Sequence, residues 1–149
     1  MTAKVFWLIL KHKRIFMTGT ITLPIRDENL SGKVLHEVLI GFNSETVTVK
    51  DIIEARVRQE VAHYNSRLPD YYNGLVEPSD AEKTINGYKL RSKKPIDAEK
   101  QVYVALDAFQ KNAFFVLVDD QQCSSLSQVV HLHSDTKIGF LKMTPLVGG

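Results

Sequence analysis

The chain has a single cysteine, Cys123, among its 149 residues. An internal disulfide is excluded, which fits a reducing, cytoplasmic setting. Excess charge is also missing: 19 Lys and Arg against 17 Asp and Glu leave +2. Phosphate binding needs a concentrated basic face, so neither nucleic acid nor an acidic membrane is expected as a partner. No apolar run reaches the ~20 residues needed to span a bilayer. Val5-Phe6-Trp7-Leu8-Ile9-Leu10 is followed by Lys11, His12, Lys13 and Arg14, whereas a secretory signal carries its charge before the apolar run. There is no glycine-rich phosphate loop: Gly139 and Gly148 lie in or after a strand, with no helix behind them. Ser124 and Ser125 lack the strand-turn-helix context of a nucleophile. Cys123 has no basic neighbour in sequence and reads as a packed thiol. His131 and His133 share one face without a third ligand, and Asp119-Asp120 is turn chemistry, so no metal site is expected.

What is present is the composition of one globular domain, 44% hydrophobic and 24% charged. Residues 1–16 form an N-terminal extension. Either they dock on the domain as an extra element, or the natural start is Met17 and they are translated upstream sequence. The second reading is favoured, because the first domain signal begins at Met17. From Thr18 to Arg26, Ile21, Leu23 and Ile25 alternate with Thr20, Thr22 and Pro24, the period of a half-buried strand. Pro24 places that strand at an edge or a bulge. Asp27 to Lys33 is a turn, and Val34 to Phe42 completes a hairpin. Thr48 with Asp51 three residues later resembles a capping box. Ile53, Val57, Val61 and Tyr64 then share one helical face, with Glu54, Arg56, Arg58 and Glu60 on the others, to an end near Asn65-Ser66.

Residues 66–96 are punctuated by Pro69, Gly74, Pro78, Gly87 and Pro95, and carry enough aromatic residues to be ordered. One short strand is expected around Gly87 to Leu90. The basic run Lys89, Arg91, Lys93 and Lys94 reads as a solvated face. A second helix follows Asp97, with Val102, Ala105, Leu106 and Phe109 on one face and a stop at Asn112. Ala113 to Val118 is a buried strand, Val129 to Leu132 a short extended piece, and Thr136 to Met143 the last strand. The order is that of one α+β domain, 17–149, carrying the insertion 66–112.

After the last strand comes Thr144-Pro145-Leu146-Val147-Gly148-Gly149. Glycine is about 7% of average sequence, so chance gives such a pair to about 0.5% of chains. A C-terminal carboxylate that is to be adenylated must enter a narrow channel. Glycine leaves clearance there and fits several active sites in turn. Pro145 holds Thr144 extended, and Leu146 and Val147 offer apolar contact on an arm that can pair with a partner's sheet edge.

F-L-K-M-T-P-L-V-G-G (Phe140 to Gly149) resembles the ends of ubiquitin and of bacterial sulfur carriers of the MoaD and ThiS type. The hairpin, the helix at 48–65 and the strand at 113–118 are similar to the order of a ubiquitin-like β-grasp, a mixed sheet with a packed helix. Residues 17–65 and 113–149 carry this likeness, somewhat over half the chain. With Ala98 to Asn112 and Phe114 to Asp120 added, the whole resembles bacterial ubiquitin-like modifiers of antiphage operons. The resemblance implies a protein that is not itself an enzyme and needs no cofactor. An activating, E1-like enzyme would use ATP and Mg to adenylate Gly149, with Gly148 giving clearance and Thr144, Pro145, Leu146 and Val147 contacting that enzyme. An E2-like enzyme would carry the thioester, target lysines would receive the isopeptide bond, and an isopeptidase would reverse it. The alternatives are a sulfur carrier ending in a thiocarboxylate and a non-covalent adaptor. One sheet face must pack on the helix. The other is either covered by the insertion or open for docking.

Overall fold

The computed structural model describes residues 20–143. Two strands form the N-terminal hairpin, β1 (Ile21–Glu28) and β2 (Val34–Phe42). After them come β3 (Thr46–Thr48) and α1 (Val49–Arg67). The insertion holds β4 (Ala81–Thr84), β5 (Gly87–Leu90) and α2 (Ala98–Gln110). The chain then returns through β6 (Phe114–Val118), β7 (Gln121–Gln122), β8 (Val129–His131) and β9 (Ile138–Lys142). Five strands make one mixed sheet in the order β2-β1-β9-β6-β7. The late strand β9 lies in its middle, parallel to β1 and antiparallel to β6. A mixed sheet packed on a helix is the expected α+β layering, and it is consistent with a β-grasp-like arrangement.

The alternation in β1 does what period two requires. Leu23, Ile25 and Asp27 are buried on one face, while Thr22, Pro24 and Arg26 face outward. Two expectations change here. Pro24 does not put β1 at the sheet edge, because β1 lies between β2 and β9. Pairing with β9 begins only at Ile25, so Pro24 has a neighbour on one side, Leu39, and its missing N–H breaks no parallel ladder. The turn starts later than Asp27. The strand continues through Glu28, and Asn29 Oδ1 then accepts from the Ser31 and Lys33 N–H groups. The register slips between Asp27 and Glu28, a bulge that leaves Leu35 unpaired.

Helix α1 begins with the capping box. The Thr48 hydroxyl accepts from the Asp51 N–H at 3.2 Å, and the Asp51 carboxylate accepts from the Thr48 N–H at 2.8 Å. The next N–H groups are satisfied from outside, Val49 by the Gln128 carbonyl and Lys50 by that of Leu126. The helix runs slightly past the expected end, to Leu68 in the left-handed region, whose N–H closes on Tyr64. Val49, Ile52, Ile53, Val57, Val61 and Tyr64 are buried, and so is Arg56. Arg56, expected on a face other than the apolar one, is instead buried with it. Its side chain is fully enclosed, which requires partners. Nη2 donates to Asp27 Oδ2 at 2.8 Å, Nη1 to Asp27 Oδ1, and Nε to Glu60 Oε1 at 2.6 Å. The guanidinium lies over the Phe140 ring, 4.4 Å from its centroid.

In the insertion a second strand was missed: β4 and β5 form a hairpin, with Tyr72 bridging to Tyr88. Helix α2 starts at the Asp97 cap as expected. Val102, Ala105 and Phe109 are buried, while Leu106 is only half-buried. It packs beside α1, and its Phe109 ring lies 5.9 Å from that of Phe114. Polar side chains hold the insertion down. Asn65 bonds both the N–H and the carbonyl of Ile96, and Gln101 donates to the Val76 carbonyl. The extended piece after residue 128 is β8, which pairs with β3 rather than joining the main sheet.

Removing one partner of a buried ion pair leaves the others uncompensated, at about 3–5 kcal/mol. Arg56→Met strands Asp27 and Glu60, so its unfolding free energy from urea titration should fall by an amount of that size. A loss under about 1 kcal/mol, the range of a surface pair, would show that the cluster does not hold the fold.

Candidate functional site

The expected site residues Thr144, Pro145, Leu146, Val147, Gly148 and Gly149 lie outside the described residues, as do residues 1–16. What the structure places is the strand that leads to them. Along β9, Ile138, Phe140 and Lys142 alternate onto the helix side, and Gly139 and Leu141 onto the other. Phe140 is clamped between Arg56 and Phe114, whose ring centroid is 5.8 Å away. Met143 follows, its N–H pointing to the Ala113 carbonyl at 3.4 Å. The strand before the tail is thus paired on both sides and anchored beneath.

Among the described residues, one face of the sheet carries the helices. Both helices pack on the side of Phe114, Val116, Ile138 and Phe140, and α2 does not cross to the other. Among the described residues, no helix covers the far side. There Phe115 stands opposite Leu141, and Leu117 opposite Gly139. Phe115, Leu117 and Leu141 are half-buried, and Met143 is 44% exposed. A shallow depression of about 310 Å³ extends this face past Pro24, Arg26, Glu28 and Lys137. Arg26, at its rim, pairs with its cross-strand neighbour Glu37 at 2.9 Å, an exposed bridge that adds little.

On the helix side, Lys142 joins the Arg56 cluster. Its Nζ donates to the Gly74 carbonyl at 3.3 Å. Next to it, the Leu75 N–H donates to Glu60 Oε2 at 2.9 Å. Burial is the largest influence on Arg56 and pulls its pKa down. The charge of Glu60, then the hydrogen bond and charge of Asp27, more than reverse this, so the pKa stands above its ordinary value. Lys142 goes the other way: burial depresses its pKa, the Asp27 charge opposes this, and Arg56 adds to it. Burial, then the Glu60 charge, raises the Tyr72 hydroxyl.

The weaker candidates sort simply. Cys123 is buried, and burial raises its thiol pKa, away from nucleophile chemistry. Asp119 and Asp120 both take positive φ, the turn that joins β6 to β7. Asp119 also accepts from the Lys137 N–H. His131 and His133 are exposed on either side of buried Leu132, and His131 Nδ1 lies 3.4 Å from the Thr46 hydroxyl. No group of three or more His, Cys, Asp or Glu suited to a metal ion occurs among the described residues. Lys93 pairs with Asp70 on the surface. No helix among the described residues is long and apolar enough to cross a membrane.

The sequence reading missed the cluster of Asp27, Arg56, Glu60 and Lys142. A signal existed for Arg56: positions 49, 52, 53, 56 and 57 follow the 3.6-residue period, so Arg56 lies on the apolar stripe. No protein-family model, curated protein or solved structure matches this chain.

The depressed Lys142 pKa has a definite sign. The unfolded chain holds this proton to higher pH than the folded one does. The cost of burying the charge is therefore full at neutral pH and fades as pH rises toward the ordinary lysine value of 10.5. The stability of wild type relative to Lys142→Met should rise over that interval in urea unfolding. A difference that stays flat with pH would mean that Lys142 is as well solvated folded as unfolded.

Proposed function

We propose that this chain is a ubiquitin-like protein modifier, activated at Gly149 and joined to target lysines, in the setting of bacterial antiviral defence. The observation that carries the reading is the Gly148-Gly149 pair on an apolar arm directly after β9, the central strand of a β-grasp-like sheet. The central position supports it physically. A strand paired on both sides is a firm base from which a partner can draw a short arm. When extended, residues 143–149 would reach at most about 25 Å beyond Lys142, enough to enter a channel while the domain stays outside it.

The chemistry belongs to partners. The Gly149 carboxylate attacks the α-phosphate of ATP and releases pyrophosphate, giving an acyl-adenylate. A cysteine thiolate of the activating enzyme displaces AMP. The acyl group passes to a conjugating enzyme, and a lysine amine then displaces the thiolate to leave an amide. Mg and ATP sit in the partner, and an isopeptidase would cleave the product. The sheet face with Phe115, Leu117, Leu141 and Met143 adjoins the root of the arm and is the surface on which such enzymes would rest.

The experiment is intact-mass analysis of the chain co-expressed with a cognate activating enzyme, comparing wild type with a Gly149 deletion. Conjugates on other proteins should form with wild type and vanish with the deletion. A C-terminus in which one sulfur replaces one oxygen would instead establish a sulfur carrier. Partner binding that survives the deletion, with neither product formed, would leave a non-covalent adaptor.

A further inference from the structure

The two neighbours of β9 do not accompany it equally far. Pairing with β1 stops at Leu141, opposite Glu28, whereas β6 continues to Lys142 and lends a last carbonyl, at Ala113, to Met143. At the point where the arm begins, one side of the strand has lost its partner. The insertion lies against the helix face of the strand there. Its Gly74 carbonyl takes a hydrogen bond from Lys142 Nζ, and its Leu75 N–H is held by Glu60. Glu60 in turn holds Arg56, which lies over Phe140, two residues back along β9.

The loop itself is fixed. The Tyr72 ring occupies the space where a Cβ on residue 74 would stand, so glycine brings the main chain against the ring. Tyr72 meets Tyr64 of α1 edge-on at 5.4 Å, and its backbone bridges to Tyr88 of β5. A rigid loop thus reaches the last residue of β9 in two ways, directly through Lys142 and indirectly through Glu60, Arg56 and Phe140.

We infer that residues 72–76 are a strap lying across the helix face at the end of β9, and that Lys142 is a positioning residue which ties the last residues of that strand, Lys142 and Met143, to it. The geometry stands independently of the modifier reading; the consequence for transfer rests on it. A held root lowers the entropy lost when the arm enters an enzyme's channel. Releasing it should therefore weaken productive docking and leave the chemical step alone.

The test uses the full chain and two readouts. The first is amide hydrogen exchange by NMR. In wild type the Met143 amide should be protected almost as well as that of Leu141. In Lys142→Met, Met143 should exchange at least about tenfold faster, with β2 and α1 unchanged, and Lys142→Arg should restore part of the protection. A Met143 amide already unprotected in wild type, or unchanged in a folded Lys142→Met, overturns the strap. Because the Met143 amide also bonds the Ala113 carbonyl, the change on substitution decides, and Lys142→Leu serves in the same comparison if Lys142→Met fails to fold. The second readout is ATP–pyrophosphate exchange by the activating enzyme, where Lys142→Met should raise KM by about tenfold at constant kcat. A fall in kcat at constant KM contradicts the positioning role. No exchange even with wild type, while Met143 is protected, sinks the modifier reading and leaves the strap standing.

Discussion

The guanidinium of Arg56 is the interaction on which the rest of the fold turns. It lies among residues that are otherwise apolar, so its charge must be matched on the spot. Asp27 on β1 and Glu60 one helical turn on supply that match, and Phe140 on β9 takes the guanidinium face. A single side chain thereby fixes α1 against the two parallel strands at the centre of the sheet. An apolar residue of similar volume could fill the space, but it would not select Asp27 as its neighbour. The geometry of Asp27 in turn keeps β1 in strand conformation through what reads locally as a turn, and the register slip follows directly after it.

From this centre the molecule is asymmetric. Among the described residues both helices lie on one side of the sheet, where the rings of Phe109, Phe114 and Phe140 pack in sequence toward Arg56. The insertion adds to that side, through Asn65, Gln101 and the Glu60–Leu75 bond, and does not close the opposite face. Among the described residues, core packing and the strap therefore lie on the helix side, and the apolar surface that no helix covers on the other. β9 borders both.

Much of this was legible because it follows local periods. The alternation of Ile21, Leu23 and Ile25, the Thr48–Asp51 box and the Asp97 cap are signals written within a few residues. What escaped was set by tertiary contact. Asp27 looks like the start of a turn until Arg56 is seen beside it. Arg56 looks solvated unless the 49-52-53-56-57 stripe outweighs its charge. β3 and β8 are three-residue strands that exist because they pair with each other. The β4–β5 hairpin did carry a cue, Asn86-Gly87, with Gly87 at φ +125. The open face could not be chosen from sequence, because Phe114 and Val116 are as apolar as Phe115 and Leu117. The arm is the reverse case: the chemistry proposed for it rests on the sequence Gly148-Gly149, and it lies outside the described residues.

The most direct test of the modifier reading uses the chain's own last lysine. Trypsin cuts after Lys142, so a conjugated target would keep residues 143–149, Met-Thr-Pro-Leu-Val-Gly-Gly, as a branch on a lysine side chain. Mass spectrometry of digests from cells that express the protein with its activating enzyme should find that branch on lysines of other proteins. If the same seven residues are recovered only as a free linear peptide, with carboxylate or thiocarboxylate at Gly149, the account is contradicted.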